Sequence, residues 1–171
     1  MKYLFALSNF GKQYEKNYHN LGLLCLEYFL QDKIPVESKE KDKYFILKYD
    51  NFFVIKSKVF MNVSSQAIAP VFNMYKVNLS DILVLHDDLT LKPFHIKIKQ
   101  GGGNAGHNGL RSLSQTIGSD FFRIRIGIGH PRDINPYIDV SDYVLSNINQ
   151  MSDWENTFAE AKILIEKWLV G

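Results

Sequence analysis

Two uninterrupted apolar runs, Tyr3-Leu4-Phe5-Ala6-Leu7 and Ile82-Leu83-Val84-Leu85, constrain the fold more than any other feature of this chain. A strand with one wet face alternates apolar and polar residues, whereas a continuous apolar run suits a strand buried on both faces of a sheet. Each run is closed at once by polar residues: Ser8-Asn9-Phe10-Gly11 after the first, His86-Asp87-Asp88 after the second. Strand ends of this kind are where open α/β sheets place ligands.

The intervening segments supply the cover. Leu21, Leu24, Cys25, Tyr28 and Phe29 recur at helical spacing and predict a helix over about 19–31, with His19 at its start. The charged stretch 32–43, with Pro35, reads as a solvated connection, and 44–49 and 52–56 as a hairpin about Asp50-Asn51. Ile68, Val71, Phe72 and Tyr75 predict a helix near 64–76 that Pro70 should kink or delay.

Phe94, Ile96 and Ile98 alternate with His95, Lys97 and Lys99, and Phe122, Ile124, Ile126 and Ile128 with Arg123, Arg125, Gly127 and Gly129, giving two strands with one partly basic face each. Leu110, Leu113 and Ile117 place a helix after the glycine run. Ser152 and Glu155 have capping-box spacing ahead of a last helix striped by Trp154, Phe158, Ala161, Ile165 and Trp168. With no repeat or linker, the expectation is an α/β fold: one domain over 1–171, with a mixed twisted central sheet and helices on both faces.

The formal net charge of +2 is too mild for a general nucleic-acid coat, though a local patch can still bind phosphate. The single cysteine, Cys25, falls in an apolar helical stripe and reads as a packing residue in a reducing compartment. The N-terminal apolar run is too short for a signal-peptide core or a membrane span, so a cytoplasmic location without a membrane is expected.

Four segments deliver functional groups to strand ends and helix starts. His19 carries an imidazole, whose unperturbed pKa of about 6.5 suits proton abstraction from water; its alternative is a helix-start residue with no task. Asp87 can hold one imidazole nitrogen of His19 and leave the other free as base. The rival for His86-Asp87-Asp88 is a divalent metal site, but three adjacent residues of a strand end cannot all point at one ion. No serine sits in a nucleophile elbow, so attack by activated water on an ester or similar carbonyl is favoured. Asn9, Asn62 and Asn108 can donate to substrate carbonyls or an oxyanion, or simply cap loops. The run Gly101-Gly102-Gly103-Asn104-Ala105-Gly106 fits a phosphate cradle or a bland tight connection equally, and lacks the Walker lysine. Lys97, Lys99, Arg123 and Arg125 can converge beside it as a phosphate patch or remain solvated. His107 can line the cleft or support the loop.

In order and spacing, Asn9-Phe10-Gly11, Tyr14, His19-Asn20, Phe60-Met61-Asn62, His86-Asp87-Asp88-Leu89, Gly101 to Arg111 and Arg123 to Pro131 resemble bacterial peptidyl-tRNA hydrolase across nearly the whole chain. That resemblance implies a monomeric esterase that needs neither metal nor cofactor nor an obligate protein partner. It would cleave the ester joining a peptide to the 3′ ribose of tRNA and so release both, in the service of ribosome rescue. It makes His19 the general base and Asp87 its support. Asn9 would contact the peptide, Asn62 and Asn108 would hold substrate and water, Tyr14 and Phe60 would touch the substrate end of the tRNA, and Lys99 and Arg125 would receive its 5′ phosphate.

Several positions depart from the family pattern and bear on tRNA affinity more than on the reaction. Phe10 replaces a proline, Asn17-Tyr18 stands for Thr-Arg, Ser65 for glycine, and the chain closes at Gly171 without a basic tail. The rival functions are a small-ester hydrolase on the same scaffold and an RNA- or ribosome-binding module with a degenerate site.

Overall fold

The computed structural model describes residues 1–171. Seven strands form one sheet: β1 (Lys2–Ala6), β2 (Glu37–Glu40), β3 (Tyr44–Lys48), β4 (Phe52–Ser57), β5 (Ile82–Asp88), β6 (Ile96–Gln100) and β7 (Phe122–Gly127). Their order is β2-β3-β4-β1-β5-β7-β6, parallel across β4-β1-β5-β7 and antiparallel at both edges. The two apolar runs are the adjacent central strands β1 and β5.

Both faces are covered, as a two-sided run requires. Leu4, Ala6, Leu83 and Leu85 pack with α1 (Leu21–Leu30) and α5 (Glu155–Val170) on one side. Tyr3, Phe5, Leu7, Ile82 and Val84 pack with α2 (Ser65–Tyr75) and α3 (Asn108–Ile117) on the other. The mixed sheet with helices on both faces is the expected α/β architecture. Cys25 lies in the first core, fully buried, and burial pushes its thiol pKa up. No helix is long and apolar enough to cross a membrane.

Four local expectations need correction. Residues 37–40 are not a connection but the edge strand β2, paired antiparallel to β3 with all four residues exposed; backbone pairing makes this strand, and its solvated side chains carry no period. Pro70 does not delay helix α2, which begins at Ser65 and runs on through it. Ser152 forms no capping box: a 3₁₀ turn over Met151–Trp154 leads into α5 without a side-chain cap. Strand β6 starts at Ile96, because Phe94 adopts φ 70° and breaks the alternation. A short helix, α4 (Val140–Val144), capped by Asp139 on the Ser141 N–H at 2.8 Å, lies where no element was expected.

Candidate active site

The C-terminal ends of β1 and β5 open into a cleft of about 570 Å³ bounded by the glycine loop, the start of α3 and the α4 segment. His19 enters it from a 3₁₀ turn, Tyr18–Asn20, immediately before α1. That turn is brought against β5 because Gly22 has no side chain: a Cβ there would run into the Leu85 carbonyl oxygen.

Asp87 is 1% exposed and sits between two imidazoles. His19 Nδ1 lies 2.9 and 3.0 Å from its two oxygens, and His107 Nε2 lies 2.8 Å from Oδ1. Burial pushes the Asp87 pKa up, but the imidazoles, His107 ahead of His19, more than reverse this and hold the carboxyl well below the usual range. It is therefore a carboxylate that accepts from both rings.

The proton positions follow from the neighbours. His107 caps α3: its Nδ1 accepts from the N–H groups of Gly109 (3.1 Å) and Leu110 (3.3 Å), so its proton must be on Nε2, facing Asp87. With Nδ1 donating to Asp87, the second ring nitrogen of His19, Nε2, is left without a partner at the cleft. One potential ligand atom from each of His19, Asp87 and His107 lies within 4.8 Å of the other two, close enough in distance to hold a metal ion. The capped tautomer argues against one, because a metal ligand at His107 Nε2 would need an unprotonated nitrogen there.

His86, the residue before Asp87 on β5, also lines the cleft, with its ring edge to face against His107 at 5.3 Å. The His86 Nδ1 donates to the Asp87 carbonyl at 2.7 Å, and its buried Nε2 has no partner. Burial first, then the neighbouring His107, pushes its pKa down to about 3, so it stays neutral.

Asn9 is oriented by its surroundings. Its Oδ1 accepts from the Met61 N–H at 2.7 Å, which leaves the amide NH₂ to the cleft as a donor. Asn20 holds the backbone on either side: the Asn9 N–H donates to Asn20 Oδ1 (2.8 Å) and Asn20 Nδ2 to the Asn9 carbonyl (3.0 Å). Asn62 and Asn108 also line the cleft, Asn108 accepting from Arg111 at 3.4 Å. Tyr14 and Phe60 meet edge to face at 6.1 Å, with Phe60 55% exposed, but neither lines the cleft itself.

Of the four basic residues, Lys99, Arg123 and Arg125 line the cleft and Lys97 does not. Arg125 is already engaged, donating from Nε to Asp88 (2.8 Å) and from Nη2 to Thr90 (3.1 Å). Lys99 has no carboxylate partner; burial, then Arg125 and Arg123, push its pKa down. Arg123 is buried and bonded to loop carbonyls, so it is not a solvated surface charge.

Sequence reasoning left the tasks of His107 and Asn20 open. Their signal was position alone, each beside a residue already singled out, and partners that far along the chain become visible only in the fold.

A family model described as peptidyl-tRNA hydrolase matches residues 3–171. Among curated proteins, the chain is 41% identical to peptidyl-tRNA hydrolase of Coxiella burnetii (strain RSA 331 / Henzerling II) over 143 residues, covering 81% of this chain and 76% of that one. It is 35% identical to the Ehrlichia canis (strain Jake) protein of that name, covering 96% and 88%. Among solved structures, peptidyl-tRNA hydrolase from Acinetobacter baumannii superposes with a TM-score of 0.82 at 29% identity, covering 98% of this chain and 89% of that one.

Proposed function

The chain belongs to the peptidyl-tRNA hydrolase family and hydrolyses peptidyl-tRNA, and from that premise we propose that His19 is its general base and Asp87 the group that orients and charges it. The observation that carries this is the carboxylate held between His19 Nδ1 and the tautomer-locked His107, which leaves His19 Nε2 free in the cleft.

The reaction then runs in two proton transfers. His19 Nε2 takes a proton from water as the oxygen bonds to the ester carbonyl carbon, and Asp87 stabilises the imidazolium. The tetrahedral oxyanion and the peptide carbonyls accept from the amides of Asn9, Asn62 and Asn108. On collapse, the bond to the ribose O3′ breaks and the imidazolium returns its proton to that oxygen, giving a free tRNA 3′ end and a peptide acid. No residue forms a covalent intermediate. The aromatic pair Tyr14 and Phe60 at the rim contacts the tRNA end, and Lys99 with Arg125 receives its 5′ phosphate. The protein acts as a monomer in the cytoplasm, as one domain, with no further partner.

The test is release of labelled peptide from N-acetyl-aminoacyl-tRNA by the natural protein and His19→Ala, with unblocked aminoacyl-tRNA as control and chelator present. Chelator-resistant cleavage of the blocked substrate alone, lost in His19→Ala, is expected. Cleavage that survives His19→Ala would remove the base assignment.

A further inference from the structure

The glycine loop between β6 and α3 is pinned from beneath by a buried cation. Arg123 on β7 is 2% exposed and makes no ion pair. It donates from Nη1 to the Gly103 carbonyl (2.9 Å) and from Nη2 to the carbonyls of Gly102 (3.3 Å) and Ser119 (3.2 Å), while its buried Nε has no partner. An uncompensated buried guanidinium is costly, and an apolar side chain would fill the same space without that cost.

The use of this charge lies on the far side of the two peptide groups it holds. In a trans peptide the N–H points opposite to the C=O. Drawing the Gly102 and Gly103 carbonyls onto Arg123 therefore turns the N–H groups of Gly103 and Asn104 away from it, and neither has a partner in the chain. Both residues line the cleft. Lys99 lies across Gly102, where a Cβ would come within 2.5 Å of Nζ. Two adjacent free N–H groups, an unpaired ammonium and a guanidinium beneath them make an anion site.

The site is close to the chemistry. The His107 N–H donates to the Asn104 carbonyl at 2.8 Å, so the cradle lies one turn of chain from the imidazole that supports Asp87. We propose that the Gly103 and Asn104 N–H groups bind the phosphodiester next to the esterified ribose, and that Arg123 is the positioning residue that aims them. The ligand's identity rests on the function proposed above; the anion cradle does not.

Two measurements separate these. Inorganic phosphate titrated into the ¹⁵N-labelled natural protein should shift the Gly103 and Asn104 amides, and Arg123→Lys should abolish those shifts. Shifts confined to Lys99 and Arg125, with both amides unmoved, would overturn the cradle even if Arg123 variants fail to fold. For the ligand, N-acetyl-aminoacyl esters of adenosine, of the dinucleotide CpA and of tRNA with and without its 5′ phosphate are compared. The single phosphodiester of CpA should raise kcat/KM about tenfold over adenosine, the gain of one charge-assisted contact, and Arg123→Lys should erase that ratio. A gain that appears only with the 5′ phosphate would overturn the assignment. If no ester is cleaved the function fails, while the amide shifts still decide the cradle.

Discussion

Asp87→Asn should disable the enzyme by moving one proton, with the fold left in place. The carboxylate accepts from His19 at 2.9 Å and from His107 at 2.8 Å. An amide offers one oxygen and one NH₂ to the same two rings. His107 cannot switch tautomer without giving up its bonds from Gly109 and Leu110, about 1 kcal/mol each. The new oxygen therefore turns to His107 and the NH₂ to His19 Nδ1, which forces the His19 proton onto Nε2. The base nitrogen is then occupied.

Two costs follow. Restoring the reactive tautomer sets N–H against N–H, about 1.5 kcal/mol. The imidazolium also loses its carboxylate, worth about 4 kcal/mol at a charge separation of about 4 Å and an effective dielectric of about 20. Together they amount to about four orders of magnitude in kcat, the scale found for the same exchange in a serine-protease triad. Peptide release from N-acetyl-aminoacyl-tRNA measures the rate. Nitrogen NMR of the His19 ring reports its tautomer, and thermal unfolding should move little because both hydrogen bonds persist. A variant that keeps more than about a tenth of kcat, or whose His19 still carries its proton on Nδ1, would refute the reasoning.

Three further outcomes are expected. His86 stays neutral when folded, with a pKa of about 3, whereas the unfolded chain protonates it below about pH 6.5, so its stabilisation is present above that pH and fades as pH falls. About 2 kcal/mol should be gone at about pH 5, and His86→Asn should flatten denaturant-measured stability between these values; an unchanged slope would contradict the burial argument. Asn20→Ala removes both bonds that hold the Asn9 backbone, so stability should fall by about 2 kcal/mol and kcat/KM by about tenfold; an effect on stability alone would mean that Asn9 orients itself. Lys99→Ala should raise KM and lower the salt slope of kcat/KM by about 0.7 to 0.9, and Arg125→Ala by less, because Asp88 already neutralises Arg125. Equal slopes would show that Asp88 releases Arg125 when RNA binds.

What the sequence made legible was whatever burial writes as a side-chain pattern. The runs 3–7 and 82–85 announced two-sided strands because both neighbours of each residue had to be apolar. Strand β2 left no such trace, since only its backbone is engaged. At the site, His19 and Asp87 stood out by chemistry and position, and the fold joins them across 68 residues. Arg123 read as one of four basic residues that could form a phosphate patch or stay solvated, because alternation along β7 gives its face but not what covers that face. His107 was ambiguous for a related reason: capping with an imidazole fixes a tautomer, and only the partners of both nitrogens reveal it.

The order Asp87-Asp88 then acquires a meaning that neither residue has alone. Successive strand residues face opposite sides of a sheet, so two adjacent carboxylates at the end of β5 address two different neighbourhoods. Asp87 meets the imidazoles, while Asp88 anchors Arg125 among the basic residues of β6 and β7. One strand end thus fixes the distance between the proposed base and the proposed phosphate-binding groups. Inserting a residue between 85 and 86 should shift the strand end by one place and turn each side chain to the opposite face, setting Asp87 against Arg125 and His86 against His19. That variant should lose turnover of the adenosine ester and tRNA binding together, whereas Asp87→Asn loses only turnover. Retention of either function by the insertion would show that the two halves of the cleft are positioned independently.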